Sequence, residues 1–246
     1  LPPVLNYLFL NDNPNLICLP PIEKLNGINY LGQSFDLLTN TSITCLPNYI
    51  YHSFSYPELD SLPLCGIYGN PAGCPVAWNV AGKVFNDNVE NCIYNTIESP
   101  LFNLKVKLIQ GGIPMQQVYT NPAGFYSFDT PLDEHLLQVD TTNLPFEVVC
   151  PENNQFITNP GGNDTLDFTA NFALRCKPGF DLSSHVLVHS NGLFFPTNTA
   201  EMLFRGGDLA QYFGTTCNTD GLSGRIKIWL DGPGAFAEPE NGFTLN

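Results

Sequence analysis

The tightest constraint on this chain is an alternation. Between residues 101 and 109, Leu104, Val106 and Leu108 fall on one set of positions and Asn103, Lys105 and Lys107 on the other. Strand side chains point to opposite faces with a period of two, so this run predicts a strand with one buried and one wetted face. Comparable runs predict strands at 78–85, 125–128, 136–139 and 146–149. A last strand is expected where Leu166, Phe168, Ala170 and Phe172 alternate with Asp167, Thr169 and Asn171. Gly111-Gly112 and Thr120-Asn121-Pro122-Ala123-Gly124 mark turns. With 21 Gly and 21 Pro, the chain suits short strands joined by many turns, and a mainly β fold is expected.

One loop between these runs is dense in oxygen side chains. Asp87, Asn91, Asn95 and Glu98 take the first, fifth, ninth and twelfth positions of a twelve-residue window. An EF-hand-type loop presents oxygens to calcium at that spacing and adds the backbone carbonyl of its seventh residue, here Ile93. The candidate calcium ligands are therefore Asp87, Asn91, Ile93, Asn95 and Glu98. Two positions depart from the template: Val89 brings no oxygen to the third, and Cys92 stands at the sixth, where glycine is expected. The competing reading is a polar inter-strand loop whose Asn and Asp hold turns.

The order of these pieces resembles the SdrD B-like, prealbumin-like repeat of bacterial surface proteins. The residues that carry the likeness are Gly82-Lys83-Val84-Phe85, Asp87, Asn91, Glu98, Val106-Lys107-Leu108, Thr120, Gly124-Phe125-Tyr126-Ser127-Phe128 and Leu137-Gln138-Val139. The resemblance covers residues 76–174 and implies a β-sandwich there. Some relatives of this fold join a lysine and an asparagine of the first and last strands as an isopeptide. Lys83 and Asn171 stand in roughly those positions, although the SdrD B-like branch usually lacks the bond.

Upstream, Leu5, Leu8, Leu10, Asn13, Leu16, Cys18, Leu19 and Pro20 recur as Leu25, Ile28, Asn40, Ile43, Cys45, Leu46 and Pro47. This pattern resembles the leucine-rich repeat, whose coils turn leucines inward and bond the open backbone with an asparagine. The resemblance implies the end of a solenoid over residues 1–75, closed by a cap at 57–75. Two coils are fewer than the ~3 a stable solenoid needs, so further coils are expected upstream.

The 8 cysteines include no Cys-x-x-Cys pair, which argues against a zinc or thioredoxin-like centre. Spread two at a time along the chain, they favour disulfides and an oxidising compartment. Local proximity groups Cys18 with Cys45, Cys65 with Cys74, Cys92 with Cys150, and Cys176 with Cys217. Cys18 and Cys45 hold equivalent places in neighbouring repeats and are expected either bonded or stacked, while a bond from Cys65 to Cys74 would seal the cap.

The remainder, residues 175–246, shows strand-like runs at 186–188, 202–204 and 225–230, the last with Ile226, Ile228 and Leu230 on one face. These predict a partial Ig-like sandwich, since a full one needs about seven strands. Phe172-Ala173-Leu174-Arg175-Cys176-Lys177-Pro178-Gly179-Phe180-Asp181 is similar to the opening of an adhesin-like repeat in modular surface proteins of Bacteroidota. There, leucine-rich repeats, an SdrD B-like module and such a repeat follow one another, ahead of a sorting domain for type IX secretion. Asp60-Ser61-Leu62, Asp140-Thr141-Thr142 and Asp164-Thr165-Leu166 match the O-glycosylation pattern of those bacteria, which implies glycans on Ser61, Thr141 and Thr165.

Composition narrows the partners. A charged fraction of 13% beside a hydrophobic fraction of 43% predicts a folded chain. Nine basic against 23 acidic residues give −14, with no Lys/Arg cluster, so nucleic acid and anionic membrane surfaces are unfavoured. No apolar run reaches the about 18 residues of a membrane-spanning helix. No signal peptide opens the chain, so a fragment or processed form is expected. For catalysis, no nucleophile elbow, His-Glu-x-x-His or phosphate loop appears. His185 and His189, on a strand, would lie roughly 13 Å apart, too far for one metal.

The chain is thus expected to be a non-catalytic, multidomain extracellular protein, adhesin-like or stalk-like. Its expected partners are a protein or glycan ligand and the secretion machinery. The alternatives are an accessory region of a larger secreted hydrolase and a filament subunit that self-assembles by strand donation.

Overall fold

The computed structural model describes residues 4–5, 12–25, 41–52, 57–68, 71–160, 166–179, 182–188 and 202–217. They are mainly β, with almost no helix. The chain divides into one unit of Leu1–Leu182 with Asp208–Cys217 and another of Ser183–Gly207 with Asn218–Asn246.

The first unit opens with three parallel two-residue strands, β1 (Val4–Leu5), β2 (Lys24–Leu25) and β3 (Tyr51–His52). Strands this short have few ladder bonds, and a side chain supplements them. The Asn48 carboxamide accepts the Ile22 N–H at 3.1 Å and donates to the Ile22 carbonyl at 2.8 Å. Leu19, Ile22, Leu25, Ile43, Leu46 and Ile50 turn inward as one buried cluster.

Two larger sheets follow, from β4 (Val80–Asn86), β5 (Ser99–Pro100), β6 (Lys105–Gln110), β7 (Ile113–Tyr119), β8 (Phe125–Phe128), β9 (His135–Val139), β10 (Phe146–Cys150), β11 (Phe156–Thr158) and β12 (Phe172–Cys176). One runs β10-β12-β4-β5, with β8 also on β4; the other runs β11-β9-β6-β7. Val84, Tyr126, Phe128, Phe146, Phe172 and Leu174 of the first meet Val106, Leu108, Leu137 and Val139 of the second in one core. The alternation read in β6 holds. Val106 and Leu108 are buried, while Lys105 and Lys107 pair with Asp140 at 3.5 and 2.9 Å.

The last strand starts later than the pattern indicates. Residues 166–171 run beside β4 without a regular ladder, with one bridge from Val80 to Asp167 and a bond from Ala170 N to Ala81 O, and the ladder begins at Phe172. The alternation there serves two cores. Leu166 and Phe168 pack into the N-terminal cluster, and Ala170 and Phe172 into the inter-sheet one. Beyond β12, a short 3-10 helix, Leu209–Phe213, closes the inter-sheet core with Ala210 and Phe213. Asp208 caps it, accepting the Ala210 N–H at 3.0 Å and the Cys217 N–H at 2.7 Å.

Every cysteine is bonded. Cys92–Cys150 and Cys176–Cys217 pair as local proximity indicates. The N-terminal pairing differs: the bonds are Cys18–Cys74 and Cys45–Cys65, not Cys18 with Cys45 and Cys65 with Cys74. The backbone explains it. Leu46 donates to Pro63 O at 2.9 Å and Cys65 to Leu46 O at 2.8 Å, which lays residues 63–65 along 45–46 and brings Cys65 against Cys45.

Among the described residues, the short strands and the two sheets share one apolar cluster. Trp78, Ala81, Phe125 and Phe168 belong to the same apolar cluster as Leu19 and Leu46. The Tyr49 ring stacks on Phe125 at 4.7 Å, the Trp78 indole N–H reaches Cys65 O at 2.9 Å, and Tyr51 Oη donates to Asn103 Oδ1 at 2.9 Å. The described backbone of the second unit lies in β13 (Leu182–Val188) and β14 (Met202–Asp208), a two-stranded sheet whose terminal residues Leu182 and Asp208 are counted with the first unit. The strand expected at 225–230 lies outside the described residues, as do His189 and Thr165.

Candidate metal site

The 87–98 loop leaves the end of β4 and returns at β5. Its first and last residues sit where β4 meets β12 and β5, since the Asp87 N–H donates to Leu174 O at 2.7 Å and Asn86 pairs with Ser99. Both end carboxylates are consequently drawn inside: Asp87 is 2% exposed and Glu98 3%. Asp87 Oδ1 accepts the Asn91 N–H at 3.2 Å and Oδ2 the Cys92 N–H at 2.8 Å. Asn91 Oδ1 accepts the Ile93 N–H, Asn95 Oδ1 the Ile97 N–H, and Glu98 Oε2 the Asn95 N–H. Asn91 and Asn95 thus form Asx turns, each taking the N–H two residues on, as the reading of a polar loop held by its Asn and Asp side chains expects.

Burial pushes the Asp87 carboxyl up, but the Cys92 and Asn91 N–H groups, the Glu98 carboxyl beside it and the Glu90 N–H outweigh burial and hold it below the ordinary aspartate value. Glu98 Oε1 is buried, and no hydrogen-bond partner reaches it. Two neighbouring carboxylates shut away from water, one oxygen unpartnered, need a proton or a cation between them. It is the buried pair whose chemistry fits a cation. The other donor types read in the sequence, the Asn91 and Asn95 amide oxygens, each accepting a backbone N–H here, and the Ile93 carbonyl, are also oxygen, a class that suits calcium over zinc. Among the described residues, no group of three or more His, Cys, Asp or Glu gathers as a denser site.

The departure at Cys92 has a structural answer. Its φ is +62°, the left-handed conformation a glycine serves at the sixth position, and Glu90 holds +57°. At the eighth position the Tyr94 ring sits edge-on to Phe85 and covers Lys83, whose Nζ lies 3.6 Å from the Tyr94 centroid and 4.4 Å from that of Phe125. Burial pushes the Lys83 ammonium down to about 8. Asn171 Oδ1 accepts the Lys83 backbone N–H at 2.9 Å. Through Lys83 the loop is linked to the Phe125 ring on which Tyr49 stacks, a connection that spacing alone did not reveal.

The other candidates are dispersed. Ser61 is exposed and Thr141 partly buried. His52 Nε2 lies 3.1 Å from Asp60 Oδ1, and His135 Nε2 3.0 Å from Pro131 O, both rings buried. His185 falls in β13. No protein-family model and no curated protein matches this chain.

Proposed function

We propose that this chain belongs to a non-catalytic extracellular surface protein, adhesin-like or stalk-like. In this reading, leucine-rich coils are displayed on a rigid prealbumin-like sandwich followed by an Ig-like module, as in modular surface proteins of Bacteroidota. The coils would present the face that meets a protein or glycan ligand. The observation that carries the reading is the apolar cluster running from Leu19 through Trp78 to Phe168, because a shared core transmits orientation where a flexible linker would not. Four disulfides among the described residues fit an oxidising exterior.

Protease shaving of intact source cells followed by non-reducing peptide mass mapping tests the exported reading. The expected products are peptides joined as Cys18–Cys74 and Cys45–Cys65, with sugar on Ser61 or Thr141. Free thiols, in a chain recovered only after lysis, would refute it.

Calcium at the 87–98 loop is the second part of the proposal, with Asp87, Asn91, Asn95, Glu98 and the Ile93 carbonyl as its holders. When bound, it supplies a fixed divalent charge between the end carboxylates. A ligand at 100 times its Kd adds about 2.7 kcal/mol to stability. At roughly 2–4 °C per kcal/mol, Tm in calcium should exceed that in EDTA by about 5–10 °C, and Glu98→Gln should erase the difference. Identical melting curves with calcium and with EDTA would sink the calcium assignment.

A further inference from the structure

We propose that the Cys92–Cys150 disulfide sets the calcium affinity of the 87–98 loop and makes it responsive to thiol reductants. The inference rests on the calcium assignment above and deepens it.

Cys92 connects the site in two directions. Its N–H donates to Asp87 Oδ2 at 2.8 Å, and its sulfur is bonded to Cys150 at the end of β10, with the Cα atoms 5.8 Å apart. β10 pairs with β12, and β12 with β4, the strand that leads into Asp87. The middle of the loop is therefore tied to the sheet that carries its first ligand. Without the tether the loop is held by its ends at Asp87 and Glu98 and by the Tyr94 ring against Phe85 and Lys83, and the 91–93 segment loses its covalent anchor. The oxygens of Asn91, Ile93 and Asn95 then have to be ordered when the cation binds, and that ordering weakens affinity.

Access distinguishes this bond from the other three. Cys92 is exposed, whereas Cys45, Cys65 and Cys74 are buried and Cys18, Cys150, Cys176 and Cys217 are partly covered. A dithiol reaches Cys92 first. In the exchange, the dithiol gives up two electrons and two protons and closes to its own disulfide. The Cys92–Cys150 bond breaks, and each sulfur takes one proton. Calcium held by the oxidised loop is then released at concentrations that previously saturated it.

The test is calorimetric titration of calcium into the oxidised chain and into the Cys92→Gly/Cys150→Ser variant. Glycine keeps the left-handed turn without strain, so a change in affinity reports the tether and not the backbone. The variant should bind about tenfold more weakly or worse, and its calcium-dependent rise in Tm should shrink beyond any fall in the calcium-free Tm. Equal Kd values overturn the proposal and leave the calcium assignment standing. No binding by the oxidised chain overturns both. Graded dithiothreitol with alkylation mapping of the unmutated chain gives an independent measure. Cys92 and Cys150 should be alkylated before the other cysteines, with Kd weakening in step. Labelling that begins at Cys45 or Cys65 overturns the redox response.

Discussion

Trp78→Ala should lower the stability of the whole first unit by about 3–5 kcal/mol, the range for removing a buried aromatic ring. Trp78 is 2% exposed, meets Phe168 edge-on at 6.2 Å and donates its indole N–H to Cys65 O. Alanine leaves a cavity in the cluster shared by the short parallel strands and the two sheets, and strips a buried carbonyl of its donor. For a unit of this size the loss corresponds to a drop in Tm on the order of 10 °C. Calorimetry should show one transition moving as a whole. Two transitions, with only the lower one moving, would mean that the parts melt independently and that the rigid-display reading is wrong. Trp78→Phe keeps most of the burial and loses the hydrogen bond, so about 1–2 kcal/mol is expected there.

Gly82→Ala should be comparably damaging for an opposite reason. A Cβ at Gly82 would fall 1.9 Å from Ala170 O and 2.4 Å from Ala170 C, a collision with backbone that no rotamer relieves. Moving residue 170 away breaks the bond from the Tyr126 hydroxyl to the Ala170 carbonyl and that from Ala170 N to Ala81 O. Overpacking costs about 1–3 kcal/mol, and unpairing a buried polar group about as much again. Gly111→Ala is the control. Gly111 has φ +57° and open space around it, so only conformational strain of about 1 kcal/mol is expected. Urea midpoints of the two variants would decide. Near-equal values would contradict the close approach of β4 and residue 170.

Particular residues explain what the sequence made legible. β6 could be read because each of its faces has one job: Val106 and Leu108 fill the core, and Lys105 and Lys107 stay wet beside Asp140. β7 could not, because it is an edge strand and Ile113 and Met115 remain exposed, so burial imposes no pattern on it. The 3-10 helix at Leu209–Phe213 contributes only Ala210 and Phe213 to the core, too few to show a period. In the loop, spacing alone brought Asp87 and Glu98 under suspicion. That Cys92 takes the glycine conformation, and that Tyr94 covers Lys83, depends on how the chain folds back, which no local pattern encodes. The cysteine pairing near the N-terminus failed for the same reason: residues 45 and 65 meet through a ladder contact, not through proximity along the chain.

The same crosslinks limit how far the protein can be pulled. Cys18–Cys74, Cys92–Cys150 and Cys176–Cys217 close stretches of 56, 58 and 41 residues. At about 3.5 Å per residue, roughly 540 Å of contour stays locked even when the surrounding structure gives way under load. A tether with this arrangement lengthens by a short step and then stiffens. The bond at Cys92 is the one through which a reductant would first release hidden length.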